Sequence, residues 1–175
     1  MLQHLSLRYD PVEDRLALRL VVRAEGDEQV ERWLHLTRRT CAAWRLDLQS
    51  MVDMSAEVPD RLDGAGKAAL SKAHHQAMAA QVAVRTESAD KVPMPPQAPS
   101  LVKKIVCGRR RRDGRWTIRF EIDSGPPLGL VLSGQTLHGL VSAVFHRIQV
   151  ADWGLAPLPL DVRDKVELQG NSQIH

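Results

Sequence analysis

Residues 14–22, DRLALRLVV, can be laid over residues 114–122, GRWTIRFEI, at an offset of 100. Arg15 then meets Arg115, Leu16 meets Trp116, Leu18 meets Ile118, Arg19 meets Arg119, Leu20 meets Phe120 and Val22 meets Ile122. Both stretches alternate apolar and polar with period two, the pattern of a strand with one buried face. Read backwards, the same offset pairs Leu2 with Val102, Leu5 with Ile105 and Leu7 with Cys107, so each strand follows another across a turn of equal length. Two hairpins result. The first turns through Tyr9–Asp14 with Asp10-Pro11 as turn former, the second through Arg109–Gly114 with Asp113-Gly114.

Further along, the offset falls to 96, because the loop around Gly26 is four residues longer than the one around Gly125. Leu34 then pairs with Leu130, Leu36 with Leu132 and Thr37 with Ser133. These hydroxyl residues are placed as N-caps, each ending a third strand and opening a helix. Counted from the caps, apolar residues recur at Cys41, Trp44, Leu48 and Val52 in the first helix and at Leu137, Leu140, Val144 and Ile148 in the second. Steps of three, four and four make one helical face.

The fold class expected is therefore α+β: two tandem β-β-β-α repeats, each an antiparallel three-stranded sheet with a helix over it. Residues 1–56 and 101–150 form the repeats. Neither is large enough to shield its own sheet well, so the two are expected to pack as a pseudo-dimer, edge to edge in one sheet or face to face. Residues 57–100 hold an Ala-rich helix over 61–87 and the Pro-rich linker KVPMPPQAPS, and 151–175 form an extended C-terminal arm.

Lys and Arg exceed Asp and Glu by only 24 − 21 = 3, so a polyanion-binding role has to come from clustering of charge. Clusters exist. Arg109, Arg110, Arg111 and Arg112 form the second hairpin turn, Arg115 follows it, and Lys103 and Lys104 lie on the strand before it. The matching first turn uses Asp10, Glu13 and Asp14, so the turn itself does not demand arginine. The outer strand faces add Arg15, Arg19, Arg23 and Arg119, and the third strand adds Trp33 and His35. Guanidinium for phosphate and an indole for a base are what a single-strand platform needs. Against this stands the ordinary solvated sheet face, or a surface on which the two copies meet with Trp33 between them.

No catalytic or metal motif is present. His74 and His75 are adjacent, so on a helix they point about 100° apart and read as a solvated pair. His138 and His146 have no carboxylate at i+4, and HExxH, CxxC, GxSxG and phosphate-cradling glycine loops are all missing. Trp44 lies on the buried stripe, and Trp153 is placed to pin the arm to the body. Cys41 and Cys107, far apart among apolar residues, read as free thiols in the cytoplasm. No run of apolar residues is long enough to span a membrane.

Two functions are expected on these grounds. The first is a non-enzymatic protein, without cofactor or metal, binding single-stranded DNA or RNA through the basic hairpin and the arginine faces. The second is an assembly module whose sheet faces and Ala-rich helix form a homodimer or partner interface. In architecture alone, the repeated strand-rich unit ending in a helix resembles PUR-type and Whirly-type single-strand-binding proteins, which carry an extra strand per unit. No motif of theirs matches residue by residue, so no binding residue is carried over.

Overall fold

The computed structural model describes residues 2–23, 29–59, 61–81 and 98–161. The loop around Gly26, the side chain of Arg23, most of the Pro-rich linker and the arm beyond residue 161 lie outside the described residues. Strands β1 (Leu2–Asp10), β2 (Arg15–Arg23) and β3 (Gln29–Thr37) precede helices α1 (Arg38–Ser55) and α2 (Gly64–Ala80). Strands β4 (Ser100–Arg109), β5 (Trp116–Ile122) and β6 (Leu128–Leu132) then lead into α3 (Gly134–Ala151).

The registers follow from the period-two pattern. Leu5 faces Leu20 and Leu7 faces Leu18 in the first hairpin, as Ile105 faces Phe120 and Cys107 faces Ile118 in the second. Even the irregularity recurs, between Leu2 and His4 and between Val102 and Lys104. The turn residues Asp14 (φ +49°) and Gly114 (φ +68°), a hundred positions apart, both take the left-handed conformation. Gly114 does so without penalty, whereas Asp is one of the few other residues that tolerate it. Thr37 Oγ1 accepts the Thr40 amide at 3.2 Å and Ser133 Oγ accepts the Thr136 amide at 3.1 Å, so each third strand stops where a helix gains its cap.

The six strands form one mixed sheet in the order β1-β2-β3-β4-β5-β6, so the expected three-stranded sheets are continuous with each other. The junction is parallel and short, pairing only Leu34 with Ser100 and His35 with Leu101. Such a junction is weak, so the halves are held mainly through their helices. Those helices cross over. Helix α1 lies against β4 of the second half, and α3 against β1 of the first. Trp44 on α1 meets Phe120 on β5 edge to face at 5.7 Å, and Trp153 beyond α3 meets Tyr9 on β1 at 6.0 Å. One hydrophobic core results, containing Leu16, Leu18 and Leu36 together with Trp116, Ile118 and Leu132.

Helix α2 opens at Asp63, whose carboxylate accepts the Gly66 amide at 2.7 Å, and packs on α3. The chain after α3 returns over α1. Arg45 donates to the Ala156 carbonyl, and the Leu160 amide donates to Gln49 at 3.2 Å. Trp153 Nε1 donates to Asp14 at 2.6 Å, fastening this segment to the first hairpin tip. No helix among the described residues is long and apolar enough to cross a membrane.

Candidate nucleic-acid interface

The basic hairpin is a closed turn. The Arg110 amide donates to the Arg115 carbonyl at 2.8 Å, and the Gly114 amide donates to the Arg110 carbonyl at 2.9 Å. Its arginines divide into two sets. Arg109 lies over the Trp116 ring at 5.4 Å, and its Nε donates to the Gly114 carbonyl at 3.0 Å, so it braces the turn. Arg110 forks onto Asp113. Burial pushes the Asp113 carboxyl up, but Arg110, the Arg115 amide and Arg112 hold it below the ordinary value. Arg111, Arg112 and Arg115 are exposed and form no ion pair among the described residues. Lys103 and Lys104 are also exposed, with Lys104 opposite Glu121 on β5.

The first hairpin tip is different in kind. Asp10 accepts the amides of Val12 and Glu13 at 2.9 and 3.2 Å, Glu13 pairs with Arg15 at 3.7 Å, and Asp14 accepts from Tyr9 and Trp153. The Trp153 indole, then the Tyr9 hydroxyl, hold the Asp14 carboxyl below its usual range. Its acids are occupied in making the turn.

The arginine face divides likewise. On the first half, Arg19 binds Glu31 through Nε and an Nη at 3.1 Å each, and lies over the Trp33 ring at 5.9 Å. Arg19, and less strongly the Trp33 indole, lower the Glu31 carboxyl below its ordinary value. Trp33 is 8% exposed, against the expectation of an open stacking ring. It packs with Ala17, and a cleft of about 360 Å³ beside it is walled by Arg8, Arg15, His35 and Pro99. Arg15 is thus part of a mixed-charge cleft, and Arg19 is satisfied within the fold. On the second half, Arg119 bonds Glu121 at 2.8 Å and remains 56% exposed.

All seven aromatic residues of the chain fall among the described residues, and each is buried or half-buried. The protein therefore presents no exposed Phe, Tyr or Trp ring of its own for stacking. Exposed on the second hairpin are Arg111, Arg112 and Arg115 at the tip and Lys103, Lys104 and Arg119 on the strands. Trp33, Arg15, Arg19, Arg109 and Arg110 serve internal contacts.

A polar chain at the helix junction went unread in the sequence. His75 Nδ1 lies 2.8 Å from His138 Nδ1, and His138 Nε2 lies 3.0 Å from Ser55 Oγ, which donates to the Val52 carbonyl at 2.8 Å. With that last hydroxyl proton committed, Ser55 accepts from His138 Nε2–H, and His138 Nδ1 accepts from His75 Nδ1–H, which makes the His138 imidazole neutral. Burial, then His75 and His74, push His138 down to about 4, and burial lowers His75. The pair is not the solvated surface feature that adjacency of His74 and His75 implied. Nor is it a metal centre: no group of three or more His, Cys, Asp or Glu among the described residues could hold an ion. Burial pushes both thiols, Cys41 and Cys107, up to about 12, so neither is an activated nucleophile.

No protein-family model, curated protein or solved structure matches this chain.

Proposed function

We propose that this protein binds single-stranded nucleic acid through the phosphates, using the tip and outer face of its second hairpin, and performs no catalysis. One observation carries the reading. Two turns of the same length and register differ in that the acids of the first are occupied within the fold, whereas Arg111, Arg112 and Arg115 of the second point their charge at solvent. Four adjacent arginines repel one another, so an arrangement that braces only two of them has a ready use for the rest in a polyanion. On this reading the halves are two copies of one β-β-β-α unit. One copy kept a structural turn and the other acquired a binding one. Free thiols of high pKa suit a reducing, cytoplasmic setting.

An assembly module remains a second reading, favoured by the edge strand β6. Its residues Leu128–Leu132 carry no charge, no bulge and no internal proline, the features that usually blunt a sheet edge. Salt separates the two readings. Labelled single-stranded DNA and RNA, titrated by fluorescence anisotropy, should bind at low salt, with log K falling by roughly 0.7 per phosphate contact for each decade of salt. Changing Arg111, Arg112 and Arg115 together to Ser should flatten that slope and weaken binding. No binding at low salt, with a dimer that persists in high salt, would instead establish the assembly module.

A further inference from the structure

Across β2 and β3 the register sets Trp33 opposite Arg19; across β5 and β6 it sets Gly129 opposite Arg119. The two arginines hold the same place on the outer face of their halves, and each is held by a carboxylate, Glu31 or Glu121. Their surroundings differ in one respect. The Arg19 guanidinium is covered by the Trp33 ring and its side chain is 21% exposed. Arg119 has no ring above it among the described residues and is 56% exposed. A Cβ added at Gly129 would meet nothing within 4 Å. Around this gap the registers place Val106 on one side of Arg119 and Thr117 and Val131 next to it, with Val106 37% and Val131 43% exposed. The space that an indole fills in the first half stands open in the second.

We propose that this notch receives a planar aromatic ring from outside, and that the ring is a base of the single strand whose phosphates the hairpin tip holds. The inference rests on the phosphate-binding reading above and adds to it the source of a preference for unpaired bases. A guanidinium oriented by a carboxylate offers its flat face for stacking, and Arg planes serve as base platforms in single-strand recognition. Val106 and Val131 supply the apolar floor that a base prefers to water. Arg115, just before β5, and Arg119 on it stand four residues apart, ~13 Å in extended chain, so one short oligonucleotide can reach both tip and notch. A duplex keeps its bases within the helix and would offer the notch nothing.

The test uses fluorescein-labelled dT12 and an abasic strand of the same length, at one fixed salt concentration. The full chain should bind dT12 roughly five- to a hundredfold more tightly than the abasic strand, the range expected for a single stacked base. Gly129→Trp rebuilds in the second half the covered arginine of the first, and should bind dT12 no better than the abasic strand. Arg119→Gln, which alters only an exposed side chain, should also lose the preference. Equal binding of the two strands by the unmodified protein, or a preference retained in both variants, overturns the notch while leaving phosphate binding in place. If neither strand binds, the notch and the phosphate reading fall together.

Discussion

Acidification should destabilise this protein through His138. The imidazole is fully buried between α1, α2 and α3, accepts from His75 and donates to Ser55, and keeps its proton off down to about 4, against an ordinary 6.5. The facing groups are His75 and His74 on α2 and the Ser55 hydroxyl on α1. A proton on His138 Nδ1 would set two N–H groups head to head at 2.8 Å. Because the folded value is depressed, the unfolded chain binds the proton first as pH falls. The stability held by this group is thus complete above pH 6.5, is lost through the interval below it, and is gone near pH 4. At pH 5 the loss is 1.5 units at 1.36 kcal/mol each, ~2 kcal/mol, and it approaches ~3 kcal/mol at the lower limit. His75, lowered mainly by burial, acts in the same direction. For a domain stable by about 5–15 kcal/mol this is a large fraction. Urea unfolding at pH 7.5, 6 and 5 measures it, with His138→Gln as the variant that cannot titrate. The variant should be less stable than the parent at pH 7.5 but lose about 2 kcal/mol less between pH 7.5 and 5. Parallel pH profiles for the two proteins, or a His138 ring resonance that titrates near 6.5, would refute the reasoning.

Two further outcomes test the crossed core and its thiols. Trp44→Ala removes the ring that joins α1 of the first half to Phe120 of the second, and should cost about 3–5 kcal/mol in the urea midpoint. A loss below about 1 kcal/mol would mean that the ring does not bridge the halves. Cys41 and Cys107, with thiols pushed up to about 12, should be ~0.01% thiolate at pH 8. Ellman's reagent should then modify them only as fast as the protein unfolds, and full labelling of the native chain within seconds would contradict the burial.

The sequence carried the local half of this fold well. Strand pairing, turn position and helix caps depend on neighbours a few residues away, and periods of two and 3.6 record them directly. That is why the turn between β1 and β2 and the Thr37 cap could be read from the chain. The crossing of α1 and α3 could not. An apolar stripe at Cys41, Trp44 and Leu48 states that something covers it, and gives no indication of which half supplies the cover. The cover over Trp33 was illegible for a related reason: strand alternation puts it on the outer face, but says nothing of Arg19, Ala17 and Glu31 closing around it. His138 did leave a signal. Val141 and Phe145 follow it at three and seven residues, a second apolar row beside the stripe of Leu137, Leu140 and Val144. A helix buried along two rows has neighbours on two sides, and α2 proved to be the second neighbour. Of the candidate site, the hairpin arginines were legible as a cluster. Their division into bracing and free members depended on Asp113, Gly114 and Trp116, whose reach only the folded turn defines.

The crossed helices also bear on how the molecule comes into being. With α1 lying on β4 and α3 on β1, neither half completes its core while it is alone, so the first half leaves the ribosome with apolar surface that has no cover until α3 is made. Such a topology folds late and as a unit, and its long-range contacts favour slow assembly. The same exchange makes the two halves mutually required parts. Expressed as separate chains, they hold complementary surfaces and a reason to find each other, the property on which a split reporter depends.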